Sequence, residues 1–172
     1  RYTDCFPADW IINVKAATFA SKRPDKLIAS GLKILAGIKE AQAKLKTEQA
    51  SLVAGFGGYP AFPALAAASR EGVPIIIHEQ NAVLGRVNRV FAKTAKVVAC
   101  GFDRLDRLPK AAEKNKRVVG NPVRGPILAV RDEPYPAAGS DAPLQLLVIG
   151  GSQGARLFGE VIPAAVCALP ED

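Results

Sequence analysis

Four polar clusters in this chain stand where an apolar run stops. Gly55-Phe56-Gly57-Gly58-Tyr59-Pro60 follows the run 52–54, and Gly150-Gly151-Ser152-Gln153-Gly154-Ala155-Arg156 follows the run 144–149. Between them lie His78-Glu79-Gln80-Asn81 and Asn121-Pro122-Val123-Arg124. A strand that ends in a glycine-rich turn and runs into a helix aims several backbone N–H groups at one spot, which suits a phosphate or diphosphate. In open α/β folds, ligands bind at the carboxyl ends of the strands. Taken singly, each turn reads equally well as a tight connection. Neither turn has the Gly-Lys-Ser/Thr ending of a nucleoside triphosphate loop, and neither matches GxGxxG. No nicotinamide, flavin or other cofactor is therefore expected.

The side chains in these clusters differ in what they can do. Asn81 carries an amide that both donates and accepts, suited to a sugar hydroxyl or an acetamido group; its alternative role is to cap the next helix. His78, the single histidine, can shuttle a proton or order its loop. Glu79 is misplaced for contact with an anion, so it is expected to hold backbone N–H groups or a basic neighbour. Arg124 offers a planar fork of donors for phosphate or carbonyl oxygens, or else is a surface arginine beside a hinge. Asn121 and Pro122 are read as shaping the linker. Ser152 is the side chain of its loop best placed to bond a ligand. Gln153 stands beside it, and Gly150, Gly151 and Gly154 let the backbone approach closely.

The elements that must position these residues follow from periodicity. A helix is expected over 26–46, with Ile28, Leu32, Leu35, Ile38, Gln42 and Leu45 on one stripe and lysines on the other faces. Strands are expected at 52–54, 73–77, 97–100 and 118–119. Helices are expected at 63–70, ended by Gly72, and at 84–93, with Val87, Val90 and Phe91 inward; a turn of helix fits 108–114. Repeated strand–helix–strand units imply an α/β fold with a parallel sheet. The proline-rich stretch 121–143 reads as a boundary. After it come a strand at 144–149, belonging to a separate sheet, and a helix from Gly154 toward Leu169 that Pro163 should bend or interrupt.

Composition sets outer limits. The 172 residues are 49% hydrophobic, enough for a core, and the 15 glycines and 13 prolines fit many short connections. A net charge of +7 favours anionic partners. Nucleic acid is not expected, because aromatics make up only 6% and no basic-aromatic stacking pattern occurs. Cys5, Cys100 and Cys167 are odd in number and widely spaced, which argues against a disulfide framework or a metal cluster. With no methionine and an opening Arg1-Tyr2-Thr3-Asp4, the chain is read as a piece of a longer protein.

In order and spacing, the four motifs resemble those of the MurG family of bacterial peptidoglycan glycosyltransferases. The resemblance runs across nearly the whole chain. It implies a GT-B fold of two Rossmann-like domains with parallel sheets. Residues 1–120 would be the later part of the N-terminal domain on the acceptor and membrane side, 121–143 the interdomain linker region, and 144–172 the first strand, loop and helix of the UDP-sugar domain. It implies an inverting hexosyltransferase that moves N-acetylglucosamine from UDP-N-acetylglucosamine to lipid I, forming lipid II. Donor contacts would fall on Asn81, Arg124 and Ser152, supported by Gly150, Gly151, Gln153 and Gly154. Gly57, Gly58, Tyr59, His78, Glu79 and Gln80 would lie on the acceptor side or order the loops. The family's upstream glycine-rich loop, which carries its base, has no counterpart here, so the fragment alone is expected to be inactive; His78 is a weak substitute. Implied partners are the donor, lipid I, an anionic membrane surface and other cell-wall proteins, at the cytoplasmic face of the inner membrane. Leu27, Lys33, Ile34, Leu35, Ile38 and Lys39 would make the membrane contact, unless the aliphatic stripe packs on the sheet instead. The rival readings are a non-enzymatic nucleotide-sugar or phosphate-binding module, and a structural α/β domain.

Overall fold

A computed structural model describes residues 8–9, 11–17, 24–134, 146–150 and 156–169. The chain divides into two units, Arg1–Val123 and Arg124–Asp172.

The first unit opens with helix α1, Pro24–Thr47. Proline suits the first helical position, where its missing N–H costs nothing. Asp25 in the first turn and Lys44 and Lys46 in the last complement the helix dipole. Gln49 then takes a left-handed φ of 48° and the Ala50 N–H returns to Leu45 O at 3.0 Å, ending the helix. The buried face of α1 is Ile34, Ile38 and Ala41, with Leu45 packed against them. This corrects the expected stripe. Ile28, Leu32 and Leu35 are exposed, and Ile34 and Ile38, expected at a membrane contact, lie in the core. Residues 34, 38, 41 and 45 also keep the i, i+4, i+7 spacing. The burying surface of the next helix, α2 (Gly58–Glu71), decides between two overlapping stripes, which periodicity alone does not.

Strands β1 (Val53–Gly55), β2 (Ile75–Glu79), β3 (Val97–Cys100) and β4 (Lys116–Val118) pair in parallel in the order β1-β2-β3-β4. The pairs Glu79↔Cys100 and Cys100↔Val118 bring the ends of β2, β3 and β4 level, and Gly55↔Ile77 stops β1 two residues short of the end of β2. Strand β2 is central, and Ile75, Ile77, His78 and Glu79 are buried, as a strand between two neighbours requires. It starts and ends two residues later than expected, so the His78-Glu79 pair lies inside the strand. The 3-10 helix Lys110–Asn115 overlaps the expected turn of helix at 108–114 and runs one residue beyond it.

Helix α2, Gly58–Glu71, begins five residues earlier than its expected start and ends on Gly72 in the left-handed region. Its buried Leu65, Ala66, Ala67 and Ala68 are mostly small, which lets it lie close to the sheet and to α1. Gln42 donates to Glu71 at 2.7 Å and Lys46 pairs with the same carboxylate at 3.0 Å, tying α1 to α2. Helix α3, Arg86–Phe91, buries Asn88 and Phe91, with Leu84 just before it; Val90, expected inward, is exposed.

The second unit contains α4 (Gly125–Ala129), inside the stretch expected to be irregular, and α5 (Arg156–Cys167). Pro163 lies within α5 without ending it. Residues 146–149 form no strand among the described residues, contrary to expectation; a parallel strand needs a partner, and the described part of this unit supplies none. Gly151, Ser152, Gln153 and Gly154 lie outside the described residues.

Ile38→Ala is expected to lower the unfolding free energy by about 2–5 kcal/mol. Leu32→Ala should change it by less than about 0.5 kcal/mol. Urea titration of the full-length protein measures both, and equal losses would put the two side chains on one face.

Candidate functional site

The carboxyl ends of the four strands form one hydrogen-bonded cluster built around the end of β2. Its centre is Glu79, 3% exposed, with no cation paired to it among the described residues. The carboxylate takes N–H groups instead. Oε1 accepts from Asn81 N at 3.2 Å and Asn81 Nδ2 at 3.1 Å, and Oε2 accepts from Gly85 N at 2.9 Å and Asn88 Nδ2 at 3.0 Å. Burial works to raise the carboxyl pKa, but the hydrogen bonds from Gly85, Asn88 and Asn81 together outweigh it and hold the group below its ordinary value.

His78 uses both ring nitrogens. Nε2 lies 3.1 Å from Gly120 O, and Nδ1 lies 3.1 Å from Gln80 Nε2. A carbonyl only accepts, so Nε2 carries the proton. Nδ1 then receives the Gln80 amide, which also donates to Phe56 O at 3.4 Å. The ring of Phe56 tilts against the imidazole with centroids 5.8 Å apart. In this way β2 reaches the glycine turn after β1 on one side and the Gly120-Asn121 segment after β4 on the other.

The glycine turn is conformationally demanding. Gly57 and Gly58 have φ of 78° and 71°, and a Cβ at Gly57 would stand 3.1 Å from Asn88 Nδ2. Tyr59 follows in the first turn of α2, exposed. It borders an open pocket of about 620 Å³ with Val14, Lys15, Lys33, Glu40 and Pro60. Lys15 is held there by its Nζ and its backbone N–H, both on the Glu40 carboxylate.

Asn81 is exposed, and it caps nothing: Gly85 is the N-cap of α3, and the Asn81 side chain bonds Glu79. Its loop is braced from β3's side, where Leu84 N bonds Asp106 O at 2.9 Å and Asp106 N bonds Ala82 O at 2.8 Å. Arg124 is exposed at the N-cap of α4 and Gly150 is exposed. Among the described residues, no group of three or more His, Cys, Asp or Glu side chains could hold a metal ion.

Asn88 is the residue that sequence reasoning missed. It is fully buried, and its Nδ2 bridges His78 O at 3.0 Å and Glu79 Oε2. The signal was a polar residue at the i+4 position of an apolar series, Leu84, Asn88, Phe91.

The N-terminal domain model of glycosyltransferase family 28 matches residues 10–100. The chain belongs to that family, and its fold is α/β of the GT-B type. It is 50% identical to the UDP-N-acetylglucosamine–N-acetylmuramyl-(pentapeptide) pyrophosphoryl-undecaprenol N-acetylglucosamine transferase of Maricaulis maris (strain MCS10), over 99% of this chain and 46% of that protein. It is 49% identical to the protein of the same name from Caulobacter vibrioides (strain NA1000 / CB15N), over 99% of this chain and 47% of that one. The chain thus spans about half the length of these curated relatives. The crystal structure of Acinetobacter baumannii MurG superposes with a TM-score of 0.60 at 35% identity, covering 81% of this chain and 37% of that one.

Because the folded Glu79 carboxyl is depressed, its stabilising contribution is complete above the unfolded value of about 4.5 and is lost as pH falls through the lower folded value. Glu79→Gln places an NH₂ group against buried N–H donors and is expected to cost about 1–3 kcal/mol at neutral pH. It should also remove this part of the acid slope. Urea midpoints from about pH 7 to about pH 3 measure both effects, and an unchanged acid slope would show that Glu79 does not titrate with unfolding.

Proposed function

We propose that the protein containing this chain transfers N-acetylglucosamine from UDP-N-acetylglucosamine to lipid I, the undecaprenyl-pyrophosphoryl-muramyl-pentapeptide, forming lipid II. The observation that carries this reading is the name shared by relatives 42–50% identical over nearly all of this chain. The strand-end cluster supports it, since it gathers residues of three of the four motifs, Phe56, His78 to Asn81 and Asn121, at the end of the sheet where α/β enzymes bind ligands. In the reaction, an acceptor sugar hydroxyl attacks the anomeric carbon from the face opposite the leaving group. The bond to the UDP oxygen breaks, UDP leaves with the electron pair, and a base takes the hydroxyl proton. The anomeric centre inverts and no covalent enzyme intermediate forms.

Residues 1–120 then form the later part of the acceptor domain, 121–143 the linker region and 144–172 the start of the UDP-sugar domain. Asn81, Arg124 and Ser152 bind the donor, and Gly150, Gly151, Gln153 and Gly154 bring the backbone close to it. Gly57, Gly58 and Tyr59 serve the acceptor, while His78, Glu79 and Gln80 order the loops.

No helix among the described residues is long and apolar enough to cross a membrane. A polyprenyl-linked acceptor nevertheless requires work at a lipid surface, at the cytoplasmic face of the inner membrane. On α1 the exposed Leu27, Ile28, Leu32 and Leu35 stand beside Lys33 and Lys39. This face takes the role expected of Ile34 and Ile38: apolar side chains at the acyl boundary, lysines at anionic headgroups.

Ser152→Ala and Arg124→Ala in the full-length protein should each weaken UDP-N-acetylglucosamine binding by about 1.5–3 kcal/mol without unfolding it. Calorimetric titration tests this, and unchanged affinity in both would place the donor elsewhere. Transfer to a lipid I analogue separates the enzyme from a mere binding module. In sedimentation with anionic vesicles, Lys33→Glu with Lys39→Glu should reduce the bound fraction, as should high salt. Binding indifferent to both would move the membrane contact off α1.

A further inference from the structure

We propose that Asn121 is a positioning residue for Asn81, acting through the peptide bond that precedes it. This rests on the reading of Asn81 as a donor contact. The Gln80–Asn81 peptide unit is gripped at both ends. Its carbonyl oxygen accepts from Asn121 Nδ2 at 3.0 Å, and its N–H donates to Glu79 Oε1 at 3.2 Å. A peptide unit is planar, so two hydrogen bonds at opposite ends fix its rotation about the chain axis. That rotation sets the direction in which the Asn81 side chain leaves the backbone. The same Glu79 oxygen then takes Asn81 Nδ2 at 3.1 Å, adding a third restraint.

Asn121 is itself held in place for this. The residue before it, Gly120, has φ of 75° and its carbonyl receives the His78 imidazole. Gly101, whose N–H bonds Glu79 O at 2.9 Å, leaves the space the carboxamide fills; a Cβ there would collide with Asn121 Oδ1, Cγ and Nδ2. The orientation of the carboxamide follows from its partner, because a carbonyl oxygen faces only an N–H donor. Asn121 is exposed, and one exposed hydrogen bond contributes little to folding. What it orders is the exit of β2, where the exposed Asn81 stands. The clamp therefore acts on ligand binding rather than on stability.

The test is a double-mutant cycle on the full-length protein, read as UDP-N-acetylglucosamine affinity by calorimetry. Asn81→Ala should weaken binding about tenfold and lower the thermal midpoint, since it takes a donor from the buried Glu79; Asn121→Ala should weaken binding about five- to tenfold with the thermal midpoint unchanged. In the Asn81→Ala background, Asn121→Ala should add nothing, because it acts only through the side chain already removed. Asn121→Asp, which keeps the size but loses the donated N–H, and Gly101→Ala, which displaces the carboxamide without altering it, should both reproduce Asn121→Ala. KM for the donor should rise in all three, while KM for a lipid I analogue stays put. Full additivity of Asn81→Ala and Asn121→Ala would overturn the proposal. So would Asn121 variants that bind normally while Asn81→Ala binds weakly. Normal binding by Asn81→Ala itself would remove Asn81 from the donor site and the proposal with it.

Discussion

A buried carboxylate with no cation beside it among the described residues is the constraint on which the rest of this site depends. Taking Glu79 out of water is costly unless its oxygens are hydrogen-bonded. Four N–H donors meet that need: two from Asn81, one from the Gly85 backbone and one from Asn88. Each donor is thereby assigned a place. Gly85 starts α3, Asn88 sits one turn into it, and Asn81 is drawn back over the end of β2. Moving any one of them leaves charge or donor unmatched in a buried setting, which costs more than the bond itself returns when formed. The loop after β2 has one well-defined shape for this reason.

The order spreads outward because β2 is the second strand of four in a parallel sheet. The four parallel strands end within two residues of one another along the sheet, so the loop after β2 comes within reach of the loops after β1 and β4. Gln80 reaches Phe56, His78 reaches Gly120, and Asn121 reaches back to Gln80. Local folding of these loops would not bring them together, since residues 56, 80 and 120 are far apart in sequence. The topology does so, and the side chains at the strand ends convert that proximity into fixed geometry.

What was legible in the sequence follows the same division. The glycine turn at 55–60, the β-branched run just before His78 and the Gly72 stop are local features, and from them come the parallel strands of the first unit and the meeting of residues 56, 78–81 and 120–121 at their ends. Glu79 was also legible: an acid where an anion is expected reads as holding backbone N–H groups or a basic neighbour, and it holds the backbone N–H groups of Asn81 and Gly85. The inward face of α1 was not. Ile28, Leu32 and Leu35 satisfy helical spacing as well as Ile34, Ile38 and Ala41 do, and only the close approach of α2 separates them. Asn88 was hidden by its type: polarity argues against burial until Glu79 and the His78 carbonyl supply partners. The segment 146–149 has strand composition, but a strand is a property of a pair, and composition does not supply the neighbour.

The same geometry bears on which group accepts a proton. The neutral His78 ring has one lone pair, on Nδ1, and Gln80 Nε2 already donates to it, while Nε2–H is committed to Gly120 O. To act as a base the ring would have to release Gln80, and Gln80 cannot turn its amide over without setting its own oxygen against Phe56 O. Proton transfer at His78 would therefore loosen the link between the glycine turn and β2 at the moment when both should hold still. A residue that ties three loops together is poorly suited to change protonation. Within the proposed transfer this gives a division of labour in which the β2 exit supplies position and the proton goes to a group outside this network.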